Sequence, residues 1–335
     1  MYRHPLALGM AGLLTLGAGA AHAEFAFTNI VDPANPTFTQ ALGINDASTI
    51  VGYGNMTIFN GFELVLPPVP ANFTRQNVMG ADGGTQVVGI SGAGTTVGFS
   101  ITGGVTSGFA QNGGTFTPVK QDAFTQLLGI NKSGTVAAGY TSTDPAGAMG
   151  QTAVTVSGGP LFTTPVFTNV PLPMNMNMNS QATGVNDAGT IVGFYQYGVD
   201  NMGNPLFKSF EDLGGTLTSF QPFASNNSQA LGINNLGDIV GDYVDGGGVM
   251  HGYLDANNVF TSIDPPGSTA TTANGINDNG QIVGFYVSGN ADTAGNTIGF
   301  LAQVPEPVSL LVFGSGLAGL ALVRRRRSAR RTVVG

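Results

Sequence analysis

Asp238, Asp242 and Asp245, with Gly246 next in line, form the densest acidic group in the chain. Carboxylates are hard oxygen donors, and three of them at short spacing could hold Ca²⁺. The spacing does not fit an EF-hand loop, and a solvated acidic face is the plainer reading. Calcium is therefore the one cofactor these residues could take, and otherwise none is expected. A second set, Asp46, Asp187 and Asp278, recurs at one position of a repeated turn. Paired acids could hydrolyse glycosides if the fold set them about 5–10 Å apart. Recurrence at a turn argues instead for a structural role, because Asp side chains bond their own turn backbone.

Little else in the chain could do chemistry. There are no cysteines, so disulfides, thiolate metal sites and Cys nucleophiles are excluded. Of three histidines, His4 and His22 lie in an N-terminal leader, which leaves His251, too few for a histidine-based triad or zinc site. No Gly-x-Ser-x-Gly elbow, P-loop or dinucleotide fingerprint occurs. No catalytic residues are assigned, and the chain is expected not to be an enzyme. Between Glu24 and Val304 stand 18 acidic residues against four basic ones, Arg75, Lys120, Lys132 and Lys208. A body of that sign repels nucleic acid, so no nucleic-acid partner is expected.

The elements that would position these residues are repeats. Gly275-Ile-Asn-Asp-Asn-Gly-Gln-Ile-Val-Gly-Phe-Tyr286 has five looser copies, starting at Gly43, Gly89, Gly129, Gly184 and Gly232. Each copy reads as a hairpin. Its turn ends in Gly94, Gly134, Gly189, Gly237 or Gly280, with Ser48 in the first copy, and the last turn residue is expected at positive φ. The following strand repeats a glycine at Gly52, Gly98, Gly193, Gly241 and Gly284, with Ala138 as the exception, which marks close backbone approach. A weaker hairpin lies between copies, with arms such as Gly108-Phe109 and Phe116-Thr-Pro-Val119. One period is about four short strands, near the ~40–45 residues of a propeller blade.

The ends of the array carry the two halves of one weaker hairpin, Phe27-Thr-Asn-Ile30 and Gly299-Phe-Leu-Ala302. Pairing them closes a ring and removes free strand edges. The expected fold is all-β, a six-repeat propeller over residues 24–303, with β-solenoid and stacked sandwich as alternatives. Two stretches break the period: Ser157 to Ser180, with the run Met174-Asn-Met-Asn-Met-Asn179, is expected to be a protruding loop, and Asn60 to Asn72 an extended connection.

Residues 1–23 read as a signal peptide: a basic start, an apolar run from Leu6 to Ala20, and an Ala21-His-Ala23 cleavage site. Residues 304–335 hold Pro305-Glu306-Pro307, the apolar run Val308 to Val323, and Arg324-Arg325-Arg326-Arg327. The 16-residue run is short for a transmembrane helix, which usually needs ~20, but arginines directly after it act as a stop-transfer cluster. A plain single-pass anchor is one reading. The order of parts resembles the PEP-CTERM sorting signal. That resemblance implies a Gram-negative-type bacterium that makes exopolysaccharide, and an exosortase-type membrane transpeptidase as partner. Pro305, Glu306 and Pro307 would then be the sorting motif, Arg324 to Arg327 the retention cluster, and the span a transient membrane insertion. The mature protein would be released or attached at the cell surface. The array also resembles the extracellular HAF repeat family, named for a His-Ala-Phe tripeptide, through His251-Gly252-Tyr253, Ser107-Gly108-Phe109 and Ile298-Gly299-Phe300. That family implies no established chemistry.

These readings point to an exported, non-catalytic surface or extracellular-matrix protein that binds polysaccharide or another envelope component. The alternative is a secreted glycan-acting hydrolase or lyase whose acids gather at one mouth of the ring.

Overall fold

The structure, a computed structural model, describes residues 25–172 and 179–304. The segment expected to be a signal peptide, the sorting tail beyond Val304 and most of the Met-Asn run lie outside the described residues. Over Phe25–Val304 the chain forms six four-stranded antiparallel sheets. Strand β1 (Ala26–Ile30) precedes the first complete blade. Blade I holds β2 (Thr39–Ile44), β3 (Thr49–Gly54), β4 (Asn60–Val65) and β5 (Phe73–Arg75). Blade II holds β6 (Gly84–Ile90), β7 (Thr96–Thr102), β8 (Val105–Asn112) and β9 (Thr115–Val119). Blade III holds β10 (Phe124–Ile130), β11 (Ala137–Ser142), β12 (Thr152–Ser157) and β13 (Val166–Asn169). Blade IV holds β14 (Ser180–Val185), β15 (Ile191–Val199), β16 (Pro205–Leu213) and β17 (Thr216–Phe220). Blade V holds β18 (Ser228–Ile233), β19 (Ile239–Val244), β20 (Met250–Ala256) and β21 (Val259–Ile263). Blade VI holds β22 (Ser268–Ile276), β23 (Gln281–Ser288) and β24 (Thr297–Gln303), and takes β1 as its outer strand.

That last pairing is the closure expected from the split hairpin. Asn29 stands opposite Phe300 and Ile30 opposite Gly299. The six-bladed propeller is therefore closed by strands from opposite ends of the chain. Its core lies between blades. Val51 of blade I packs with Val87, Ile90 and Phe109 of blade II, and Ile30 and Val283 of blade VI with Ile44, Phe62 and Leu64 of blade I. A single blade cannot cover its own apolar faces, so burial couples each blade to its neighbours.

Two repeated glycines make this packing possible. The first, Gly43 in blade I, lies on the innermost strand. A Cβ there would stand 2.6 Å from Val88 O and 3.2 Å from Gly89 Cα of the next blade. The same holds around the ring to Gly275, whose Cβ would meet Gly43 Cα at 3.1 Å. A bulge precedes this glycine in all six blades, for example between Ala41 and Gly43, and turns the strand at the axis. The second glycine lies under an aromatic ring of the third strand. Gly52 faces Phe62, Gly98 faces Phe109, Gly193 faces Phe210, Gly241 faces Tyr253 and Gly284 faces Phe300. A Cβ on Gly193 would lie 2.0 Å from Gln181 O.

The hairpin turns behave as expected, and the residue ending each turn has positive φ in all six blades, Ser48 at 59° included. In blade III the turn is one residue longer: Asn131 N–H reaches Val136 O, where Asn45 N–H reaches Thr49 O. The frame shifts by one, so the equivalent glycine there is Gly139, and Ala138 is not the exception it looks in the sequence. The Ser157–Ser180 insertion is also less of a loop than expected. It contains a short 3-10 turn, Pro160–Phe162, and the outer strand β13, and Phe162 is buried between blades II and III. In the other irregular stretch, Asn60–Val65 is strand β4, and the extended connection starts at Leu66.

The two kinds of repeated glycine predict different costs on substitution. Gly193→Ala drives a methyl group into backbone and is expected to destabilise by more than about 3 kcal/mol. Gly189→Ala, at φ 82° with open space around it, is expected to cost about 1–2 kcal/mol. Chemical denaturation of both variants checks the order, and equal costs would contradict the close-packed axis.

Candidate functional site

The axis divides the channel into two unlike ends. The waist is lined by the six axial glycines and their neighbours, such as Leu42, Ile44 and Asn274, and leaves only about 60 Å³. At the hairpin end the six turns meet. The Asn of each Gly-Ile-Asn closes its own turn: Asn45 Oδ1 accepts from Thr49 N–H at 3.0 Å and Asn277 Oδ1 from Gln281 N–H at 2.9 Å. Its Nδ2 donates to the next blade, Asn277 to Asn45 O at 2.9 Å and Asn186 to Asn234 O at 3.1 Å.

The recurring aspartates act between blades rather than within their own turns. Asp278 N–H donates to Asp46 Oδ1 at 2.9 Å, Asn235 N–H to Asp278 Oδ1 at 2.8 Å, and Ser133 N–H to Asp187 Oδ1 at 2.9 Å. This corrects the reading of these residues as local turn formers. The carboxylates converge on one mouth, where Lys132 reaches across from blade III to Asp46 at 2.5 Å and Asp278 at 2.8 Å. Partial burial pulls the Asp278 carboxyl up, but the Lys132 ammonium and the Asn235 N–H outweigh it and hold it below the usual range. Bonds to Asp278 and Asp46 raise the Lys132 ammonium in turn. A general acid needs the opposite shift. Only about 50 Å³ is free at this mouth, so it works as a clamp on the ring.

The opposite end opens into a cavity of about 500 Å³. Each blade carries one equivalent cross-strand pair on its first and second strands, and all members of these pairs line the cavity except Tyr53 and Tyr140. The pairs are Gln40 with Tyr53, Gln86 with Phe99, Gln126 with Tyr140 and Gln181 with Phe194. Blade V gives Gln229 with Asp242, and blade VI gives Thr272 with Phe285. Five of six first positions are glutamine and five of six second positions aromatic. Phe99, Phe194 and Phe285 line the cavity with the five glutamines. Two of the glutamines have protein partners: Tyr140 OH donates to Gln126 Oε1, and Gln181 Nε2 donates to Gln151 Oε1, both at 2.9 Å. Asp242 replaces an aromatic ring, is 6% exposed, and is the only acidic residue in the lining among the described residues. No hydrogen bond to its carboxylate occurs among the described residues, and burial pushes its pKa up to about 7.

The acidic group singled out in the sequence is thus dispersed along β19. Asp238 precedes the strand and accepts from Asn234 Nδ2 at 3.0 Å, Asp242 faces the channel, and Asp245 follows the strand and accepts from Gly247 and Val249 N–H. Seven residues of extended chain separate the outer two by roughly 23 Å. Among the described residues no group of three or more His, Asp or Glu is placed to hold a metal. His251 lies between Asp264 at 3.0 Å and Asp245 at 3.4 Å and stacks on Tyr243. Partial burial lowers its pKa, and the two carboxylates outweigh that and raise it.

The glutamine ring is a feature that a motif beginning at glycine misses. It stands three residues before each axial glycine, and the aromatic follows the second glycine directly, as in Gly98-Phe99. Extending the repeat by three residues at its start exposes both columns.

Residues 303–327 match the PEP-CTERM protein-sorting motif. This stretch contains the Pro-Glu-Pro and arginine residues named above. A motif of this kind implies an exported protein sorted by an exosortase, with a membrane-anchored precursor. Among the described residues no helix is long and apolar enough to cross a membrane. A comparison with curated proteins found no match. Among solved structures, the chain is similar to a protein of unknown function from Dyadobacter fermentans, with a TM-score of 0.54 at 9% identity over 85% of this chain and 100% of that one. It is also similar to TolB from Acinetobacter baumannii (TM-score 0.48, 8% identity, 77% of this chain and 66% of that one). The β-propeller domain of the Trilobed protease from Pyrococcus furiosus matches with a TM-score of 0.42 at 8% identity, over 80% of this chain and 98% of that one. At these identities the likeness is one of fold, and what the chain carries beyond its propeller is a PEP-CTERM sorting motif.

Proposed function

We propose that this chain is an exported, non-catalytic module at the cell surface or in the extracellular matrix, and that it binds exopolysaccharide through the wide end of its channel. The observation that carries this reading is the convergence of glutamine and aromatic columns on one cavity. Primary amides offer donors and acceptors together, which suits the hydroxyl groups of sugars. Aromatic faces supply flat apolar contact beside them. A volume of about 500 Å³ lies within the usual range of ligand sites and admits a short stretch or chain end. Against the hydrolase or lyase reading, the acids that gather at the hairpin mouth, Asp46, Asp187 and Asp278, are engaged by Lys132 and neighbouring N–H groups with only about 50 Å³ free, and paired-acid chemistry at the wide end needs a second carboxyl near Asp242, where the described lining residues include no other acid.

Glycan arrays and pull-down on exopolysaccharide, with the full chain in detergent, test this. Retention is expected, and Gln86→Ala with Phe99→Ala should weaken it at least about tenfold, near 1.4 kcal/mol. A folded protein retained by no glycan would overturn the reading.

The export half is checked by mass spectrometry of the secreted fraction. The mature chain is expected to begin at Glu24 and end near Pro305. An intact chain carrying Arg324 to Arg327 in the membrane fraction would point to a permanent anchor instead.

Asp242 also sets a pH dependence. Its folded pKa lies above the ordinary ~3.9 of the unfolded chain, so the folded state binds the proton more tightly. Its ionisation then costs stability progressively from about pH 4 to pH 7, and the full cost applies above that. Asp242→Asn is expected to remove a slope worth roughly 2–4 kcal/mol over this window. Denaturation curves of both proteins at pH 4.5 and pH 8 measure it, and parallel behaviour would show that the carboxyl is solvated.

A further inference from the structure

The propeller is nearly sixfold in its cavity-lining pairs, and it breaks that pattern at two adjacent places. In blade V the aromatic becomes Asp242, and in blade VI the glutamine becomes Thr272. In the other four blades the repeat supplies the same glutamine–aromatic pair. The break supplies a charge.

This carboxyl has no partner among the described residues. No hydrogen bond reaches it among the described residues, and none of the cavity-lining residues is basic. A buried carboxylate without a cation is costly. The lining also contains Asn274, whose Oδ1 is buried and has no donor. Phe285 and the Met250 sulfur lie on the same side of the ring, in blades VI and V. Acceptors lacking donors, next to aromatic faces and a polarizable sulfur, match a cation that only donates. An ammonium group does so: it offers three N–H donors and is attracted to aromatic faces. A divalent metal matches less well, since Ca²⁺ takes six to eight oxygen ligands, and no metal-holding group of acidic residues occurs among the described residues.

We propose that the cavity selects sugar units bearing a free, protonated amino group, with Asp242 as the counter-ion. The proposal rests on the glycan-binding reading above and narrows its ligand to amino sugars that lack the N-acetyl group. An acetamide in the same position would bring no charge and would leave Asp242 unpaired.

Calorimetric titration of the full chain in detergent compares a glucosamine trimer with the fully N-acetylated trimer at pH 7. The free-amine trimer is expected to bind at least about tenfold more tightly. Asp242→Asn should abolish that preference while the protein still melts cooperatively. Asp242→Glu, which keeps the charge, should retain part of it. Equal affinity for the two trimers, or a preference that survives in Asp242→Asn, would overturn the inference. If neither trimer binds but a neutral glycan does, and Gln86→Ala weakens it, the inference fails and the glycan reading stands. If no glycan of any kind binds, both fail.

Discussion

Six strands can meet on one axis only where they carry no side chains. The axial glycines, from Gly43 to Gly275, occupy that place, and at Gly43 a single added carbon would stand 2.6 Å from the neighbouring backbone. The other regular features follow from this closeness. The bulge before each glycine turns the strand so that the next residue enters the turn ring. The Asn two residues on then lies near enough to the following blade to bond its carbonyl, as Asn277 does with Asn45. The second glycine lets Phe62, Phe210 or Phe300 lie flat across the sheet, where the ring joins the apolar layer between blades. Net hydrogen bonds are worth only about 0.5–1.5 kcal/mol each, so the ring of turns gains its strength by being closed rather than by any one bond.

The waist also divides the labour of the two ends. At the hairpin end, acidic and amide side chains are engaged by neighbouring N–H groups and by Lys132. At the other end, Gln40, Gln86 and Gln229 have side-chain amides without protein partners among the described residues, and Asp242 has none either. The distinction matters for function, since a satisfied polar group has nothing left to offer a ligand. The acids that recur far apart in the sequence, Asp46, Asp187 and Asp278, hold the ring, and of the group that is dense in the sequence only Asp242 faces the open cavity.

How much of this was legible follows from period and register. The count of six, the split hairpin and the positive φ at the turn ends depend on local chemistry repeated along the chain, and all are present in the structure. The glycine of blade III was misplaced by one residue, because its turn is one residue longer and side-chain assignment in a strand changes with each step. Asp238, Asp242 and Asp245 look like a cluster in a linear string, but an extended strand carries its residues apart at about 3.3 Å each. The opposite error hid the glutamines. Gln40 and Gln229 are 189 positions apart in the chain, and only ring closure makes them face one cavity.

A repeat fold places its most specific chemistry where its symmetry fails. Five equivalent glutamines and three of the equivalent aromatics, Phe99, Phe194 and Phe285, provide contact from many directions, which favours ligands with many similar groups and by itself discriminates poorly among them. One charge on one side changes that. It gives the cavity an orientation, and it penalises every ligand that leaves the carboxylate unpaired, which is how specificity is obtained when attractive contacts are generic. The cost falls on the unliganded protein, since the Asp242 pKa is raised by burial and an aromatic at that position would carry no such penalty. A propeller tuned only for stability would place a Phe or Tyr there, as the other five blades do. That blade V does not is the strongest sign in the molecule that this end of the channel is shaped for something it binds.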